Sequence, residues 1–277
     1  MRIAALLTCF NRKEKTSKCL YSLFQILPDC DVYLVDDAST DGTSEMIKEK
    51  YSQVHLIYGN GNLFWSRGMY TAWKEALKKD YDYYLWLNDD IELYSYFFEE
   101  LMLCNQLEGE NCIVSGLIES FGKKEIIYGG SNSDKKLIQV NTEPQEITFM
   151  NGNVVLVPKV VVNKIGIIDR TFHHDLGDVD YGLTARKQGL RVVSTRIAIA
   201  AGYPNKFCRV RKWGTNIINR FKQLNSPLGS NLSINFYFRR KHFGLFRAIL
   251  FCIHLIVLNL LSDWVVAKIW GDTYRDK

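Results

Sequence analysis

Apolar residues in the first ninety positions gather in short runs, and each run stops on a cluster of polar groups. Residues 3–7, 32–35, 54–58 and 83–87 are runs of this kind. Such lengths suit strands buried on both faces of a parallel sheet. Between them, residues 13–27 carry Leu20, Leu23, Phe24 and Leu27 at helical spacing, and Pro28 closes the segment. Ser39-Thr40-Asp41-Gly42 is turn and capping chemistry ahead of a helix over 43–50, and residues 66–79 read as a third helix. Regular alternation of strand and helix predicts an α/β fold built on a doubly wound, mostly parallel sheet.

The second half is less regular. Strands are expected over 112–117, 125–128 and 147–157, the last broken at Asn151-Gly152-Asn153. Pro158 opens a short helix ending before Gly166, and residues 178–188 form another, stopped by Gly189. Past Tyr203 the chain turns basic and aromatic and closes on a strongly apolar segment, residues 243–269. The expected organisation is a sheet domain over 1–203 and a helical C-terminal extension over 204–277. The apolar segment is too interrupted, by Arg247, His254, Asn259 and Asp263, to predict a membrane span. A helix in the plane of a membrane surface, or one packed on the core or on a second subunit, fits it better.

Charge sharpens this division. From Tyr181 through Ser262 there are 14 Lys and Arg and no Asp or Glu, whereas the rest of the chain holds 21 basic and 30 acidic residues. Such asymmetry speaks of partners, not of fold. The seven cysteines are odd in number and lack CxxC spacing, which disfavours a disulfide framework or a zinc site and points to a reducing cytosol. The apolar start is too short for a signal peptide.

Four polar clusters lie where strands should end: Thr8-Cys9-Phe10-Asn11-Arg12, Asp36-Asp37, Gly61-Asn62-Leu63-Phe64-Trp65-Ser66-Arg67, and Asn88-Asp89-Asp90. Open α/β sheets bind ligands along that edge. Two adjacent aspartates repel each other, and a divalent cation between them and a phosphate relieves the repulsion. Mg²⁺ and Mn²⁺ suit such oxygen ligands. The crevice fits a nucleotide diphosphate, but there is no GxGxxG after the first strand and no P-loop.

With these motifs in place the chain resembles the inverting family 2 glycosyltransferases of GT-A fold. The likeness rests on Leu7-Thr8-Cys9-Phe10-Asn11-Arg12, Val35-Asp36-Asp37-Ala38-Ser39-Thr40-Asp41-Gly42-Thr43, Leu87-Asn88-Asp89-Asp90, and His173-His174-Asp175-Leu176-Gly177-Asp178-Val179-Asp180 with the helix behind it, in the family's order over residues 1 to about 205. Asn62-Leu63-Phe64-Trp65 and Phe149-Met150-Asn151-Gly152-Asn153 look like a bacterial, rhamnosyltransferase-like subgroup. The resemblance implies that Thr8 and Phe10 line the base pocket beside Asn11 and that Asp37 accepts from the pyrimidine. It gives Arg12, Asn62, Arg67 and Asp89 to the donor, Asp90 to Mg²⁺ or Mn²⁺, and the catalytic base to Asp178. Trp65, Asn151 and His174 become candidates for the acceptor. Gly177 and Thr184 depart from the family, which often carries an acid and an arginine there.

What the resemblance implies is metal-assisted single displacement of a sugar from a dTDP- or UDP-sugar to a hydroxyl of a surface glycan, and the basic C-terminal third points to an acceptor that is lipid-linked. It also implies a cytoplasmic protein, peripheral on the inner membrane, without nucleic acid and with a homodimer as one option. A sugar nucleotidyltransferase would need a glycine-rich basic loop after the first strand, and a processive synthase would carry QxxRW. A non-catalytic nucleotide- or partner-binding module is the alternative of another class, and Asp90 and Asp178 weigh against it.

Overall fold

The computed structural model describes residues 1–205 and 207–275. In chain order the elements are β1 (Ile3–Cys9), α1 (Lys13–Ile26), β2 (Asp31–Asp36), α2 (Thr43–Lys50), β3 (His55–Tyr58), α3 (Phe64–Ala76), β4 (Tyr83–Leu87), β5 (Glu92–Leu93), α4 (Phe97–Leu107), β6 (Ile113–Ser120), β7 (Ile126–Tyr128), β8 (Gly130–Ser131), β9 (Phe149–Met150), β10 (Val154–Pro158), α5 (Lys159–Ile165), α6 (Gly177–Lys187) and β11 (Val192–Gly202). Four helices follow: α7 (Ile217–Leu224), α8 (Leu232–Phe243), α9 (Leu245–Leu260) and α10 (Asp263–Trp270). They divide between two compact units, one made of residues 1–170 and 177–204, the other of 171–176 and 205–277.

The first unit is a mixed sheet in the order β3-β2-β1-β4-β10-β6-β11-β5, with β7 on β6. The run β3-β2-β1-β4 is parallel, as the alternation of strand and helix predicts. Beyond it the sheet becomes mixed, because β10 lies antiparallel between β4 and β6. Successive side chains along a strand point to opposite faces. In β1, β4 and β10 both sets are apolar: Ala5, Leu7, Leu85, Leu87, Val154 and Leu156 pack on one face, and Ala4, Leu6, Tyr84, Trp86, Val155 and Val157 on the other. The first face takes residues of α1, α2 and α4, such as Leu20, Ile47 and Phe97, and the second takes Trp73 of α3 and Tyr181 of α6. A sheet covered on both sides leaves only its edges for ligands.

Five of the seven cysteines, Cys9, Cys19, Cys30, Cys104 and Cys112, are buried in this unit. Burial pushes all five thiols up, Cys112 to about 11 and Cys30 to about 12.

In the second unit, helical breaks follow from particular residues. Gly244 at φ 91° ends α8 in a conformation that glycine adopts without strain. The Ser262 side chain accepts a hydrogen bond from the Val265 N–H and starts α10. Arg211, fully buried, donates to the Leu258 and Leu261 carbonyls that end α9 and to Asp263, 2.6 Å away. Arg220 donates to the same Leu261 carbonyl at 2.7 Å and to the same carboxylate at 3.0 Å. The apolar segment expected as one stretch is therefore two helices with a braced corner. No helix among the described residues is long and apolar enough to cross a membrane.

Candidate active site

The carboxyl ends of β1, β2 and β4 meet along one edge of the first unit. At the end of β2 both aspartates are buried, Asp36 at 1% and Asp37 at 4% exposure. Asp36 accepts from the Ser39 N–H at 2.9 Å and from the Ser44 hydroxyl. Asp37 reaches the glycine-rich loop after β3, where its carboxylate accepts the N–H groups of Gly61 (2.8 Å), Leu63 (2.9 Å) and Phe64 (3.0 Å). A Cβ on Gly59 would stand 2.5 Å from Asp37 Oδ1, so the backbone approach requires glycine there. Asn11, Ala38 and Phe64 all adopt positive φ, at 51°, 64° and 55°. Strain of that kind in residues with side chains costs on the order of 1 kcal/mol each and gathers at functional sites.

The aspartates after β4 are arranged differently. Asp89 is buried and Asp90 has 31% of its side chain exposed. One nitrogen of Arg12 lies 2.9 Å from both carboxylates, and the Thr16 hydroxyl donates to Asp89 at 2.9 Å. Burial pushes Asp89 up to about 6, repulsion from Asp90 adds to this, and Arg12 and Thr16 pull against it. Arg12 thus shares its one positive charge between two carboxylates at the edge where a diphosphate is expected.

A third set of contacts leads from Asn88 to the base candidate. The Trp65 indole donates to Asn88 Oδ1 at 2.7 Å, and Asn88 donates to Asn153, whose own amide reaches Asn151. The next glycine, Gly152, is wedged: a Cβ there would lie 2.5 Å from the Trp65 ring and 3.1 Å from Asp178 Cβ. Its N–H donates to Asp178 Oδ2 at 2.9 Å, while the Val179 N–H donates to Oδ1 at 2.8 Å. Asp178 stands in the first turn of α6, where the helix dipole favours an anion. Below, Trp86 packs edge-on against Trp65 and Trp73, which fixes the ring that limits this corner.

The remaining candidates are scattered more widely. Thr8 is pinned under α3, since a Cβ on Gly68 would meet its hydroxyl at 2.3 Å. Phe10 is 52% exposed, an open aromatic face beside Asn11, whose side chain accepts the Thr40 N–H at 2.7 Å. Asn62 and Arg67 line a cleft along α3 with Lys74 and Arg170, and Arg67 donates to the Arg170 carbonyl. His174 belongs to the second unit, where its ring nitrogen lies 3.0 Å from Arg209. Thr16, Asn88, Asn153 and Ser44 were not among the expected site residues. Two of them carried a signal, Asn88 by its place directly before Asp89 and Asn153 by its place in the Phe149–Asn153 motif.

No group of three or more His, Cys, Asp or Glu able to hold a metal occurs among the described residues. The donors fit a cation that keeps water and phosphate oxygens and takes one or two carboxylates, the habit of Mg²⁺. Asp90, partly exposed and next to a second carboxylate, is of that type.

No curated protein matches the chain in sequence. Several solved structures share the fold. S. aureus TarS aligns with a TM-score of 0.60 at 10% identity over 98% of this chain, which spans 46% of that one. Residues 1–349 of TarS in complex with UDP-GlcNAc align at 0.54 and 13% identity, covering 92% of this chain and 82% of that chain. A mannosyltransferase from Pyrobaculum calidifontis, PcManGT, in complex with GDP-Man and Mn²⁺, aligns at 0.58 and 13% identity, covering 97% and 75%. The family model described as glycosyl transferase family 2 matches residues 5–166, more than half of the chain. With the strand-end carboxylates and the GT-A-like sheet around them, this chain belongs to glycosyltransferase family 2.

Proposed function

We propose that the protein is an inverting glycosyltransferase that moves one sugar from a UDP- or dTDP-sugar to a hydroxyl of a lipid-linked surface glycan. The observation that carries this reading is the placement of Asp178. Each of its oxygens receives one backbone N–H, from Gly152 and Val179. An ionised carboxylate offers only acceptor oxygens, the chemistry needed to take the proton of an attacking hydroxyl. Two fixed backbone donors hold the group in one orientation, which a general base needs.

Phe10 and Asn11 would receive the base of the nucleotide and Arg12 and Arg67 its phosphates, with Asp37 holding the loop that carries Asn62. Trp65 and Asn151 bound the corner in front of Asp178 and would orient the acceptor. A divalent cation on Asp90, when bound, supplies positive charge to the departing diphosphate. That PcManGT was solved with GDP-Man and Mn²⁺ supports this choice of ion. The lipid-linked acceptor places the work at the cytoplasmic face of a membrane.

The test replaces Asp178 by Asn. Donor affinity measured by calorimetry should hold, transfer should fall by ~10²-fold or more, and the wild-type product should show an inverted anomeric centre by NMR. A near-normal rate in the variant, or a retained anomer, defeats the mechanism. A panel of UDP-, dTDP- and GDP-sugars assayed for nucleotide release with Mg²⁺ or Mn²⁺ identifies the donor.

A further inference from the structure

Helix α9 is apolar on two opposite faces. Its inner face buries Ala248, Leu255, Leu258 and Asn259. At about 100° per residue, Phe246, Ile249, Leu250, Ile253, Val257 and Leu260 fall within an arc of about 100° on the other side. All six are among the exposed large hydrophobic residues, Phe246 at 73%. The stripe runs about 21 Å along the axis, and α10 continues it with Trp264, 70% exposed, and Ile269. A contiguous apolar surface of this size marks an interaction site.

The charges around it decide the occupant. Arg247 on α9 and Lys268 on α10 are exposed, as are Arg240 and Lys241 in the last turn of α8. From Tyr181 to Gly271 the one acid in the sequence is Asp263, and it is already paired with Arg211 and Arg220. A second copy seated on this stripe would bring two basic rims together, and the exposed acid that follows α10, Asp272, is itself paired with Arg275. A membrane with anionic headgroups offers hydrocarbon to the stripe and negative charge to the rim. Trp264, with the Lys268 ammonium 5.1 Å from its ring centre, is of the type that settles at the headgroup level.

We propose that α9 and α10 lie in the plane of an anionic membrane surface, with the stripe from Phe246 to Leu260 inserted below the headgroups and the basic residues on the phosphates. This deepens the membrane location in the proposed function and is independent of its chemistry.

The experiment is flotation of the full chain with phosphatidylcholine vesicles, with and without phosphatidylglycerol, needing neither donor nor acceptor. Binding should require the anionic lipid and weaken as salt rises. The double variant Leu250→Asp/Ile253→Asp should lose it by more than about tenfold, since charged side chains insert poorly, while its thermal transition is kept because both sites are exposed. Arg240→Glu/Arg247→Glu should weaken binding and reduce its salt dependence. Equal binding to neutral vesicles overturns the electrostatic part. Absence of vesicle binding overturns the proposal, and a lipid-free dimer abolished by the Leu250/Ile253 variant would give the stripe to a second copy instead. Nucleotide release by a protein that does not float would refute this inference alone, and flotation of a protein inert toward every donor would refute only the chemistry.

Discussion

Two Asp-Asp pairs end two neighbouring strands of the same sheet, and they are used in opposite ways. After β2, Asp36 and Asp37 are both buried and accept hydrogen bonds from Ser39, Ser44 and the N–H groups of residues 61, 63 and 64. After β4, Asp89 is buried against Thr16 while Asp90 reaches solvent, and a single guanidinium serves both. The first pair has neutral donors that leave its charge in place but hold two loops in strained shapes. The second has a half-exposed arginine as partner, which an incoming ion or phosphate can displace. The same dipeptide is a brace in one place and an exchangeable charge in the other.

Substitution separates the two roles. The largest effect is expected for Asp90→Asn, where metal-dependent turnover should fall on the order of 10²-fold, the usual loss when one charge-stabilising group goes, with the melting temperature unchanged. Retention of more than about a tenth of the rate, a loss below ~1.4 kcal/mol, would show that Asp90 is not the ligand that matters. Asp37→Ala should do the reverse. It strands three N–H groups of the loop after β3, at a cost of about 2 kcal/mol in stability, and raises the donor KM without stopping turnover at saturating donor. A stable variant with an unchanged KM and a collapsed kcat would invert the comparison.

The smallest effect concerns protons. In the metal-free protein the Asp89 carboxyl should titrate near pH 6, followed by carbon-13 NMR. Its folded value lies above that of an unfolded aspartate, so folding takes up a proton in between. Stability should therefore decline as pH rises from about 4 toward 6 and flatten above. Asp90→Asn removes one of the causes of the upward shift and should move the titration lower. A titration that stays in place would mean that Asp90 does not repel its neighbour.

Much of the first unit was legible because its strands leave no ambiguity. Residues 83–87 hold nothing polar except two tyrosine hydroxyls and one indole N–H, and such a run closing on three polar residues can only deliver them to a sheet edge. Direction is another matter. The run before Pro158 has the same apolar signature whichever way it points, so its antiparallel insertion between β4 and β6 came from the path of the chain. Partnerships over long separations were equally hidden. Arg12 meets Asp89 across 77 positions, and Arg211 caps Leu258 across 47. Residues 243–269 read as one apolar segment because nothing near Leu261 announces that a distant arginine will take its carbonyl. Motif supplied the candidate site residues, while the contacts each of them makes were not legible.

The buried cysteines of the sheet turn the protein into its own clock. A thiol reacts as its thiolate, and those of the first unit are both covered and held protonated at neutral pH. Cys208 and Cys252, in the second unit, are only half covered. An alkylating reagent would mark the second unit early and the sheet only during the brief openings that expose Cys19 or Cys112. The ratio of the two labelling rates measures local opening of each unit in the native protein without denaturant, and ligand added to the crevice would slow the second hand of that clock alone.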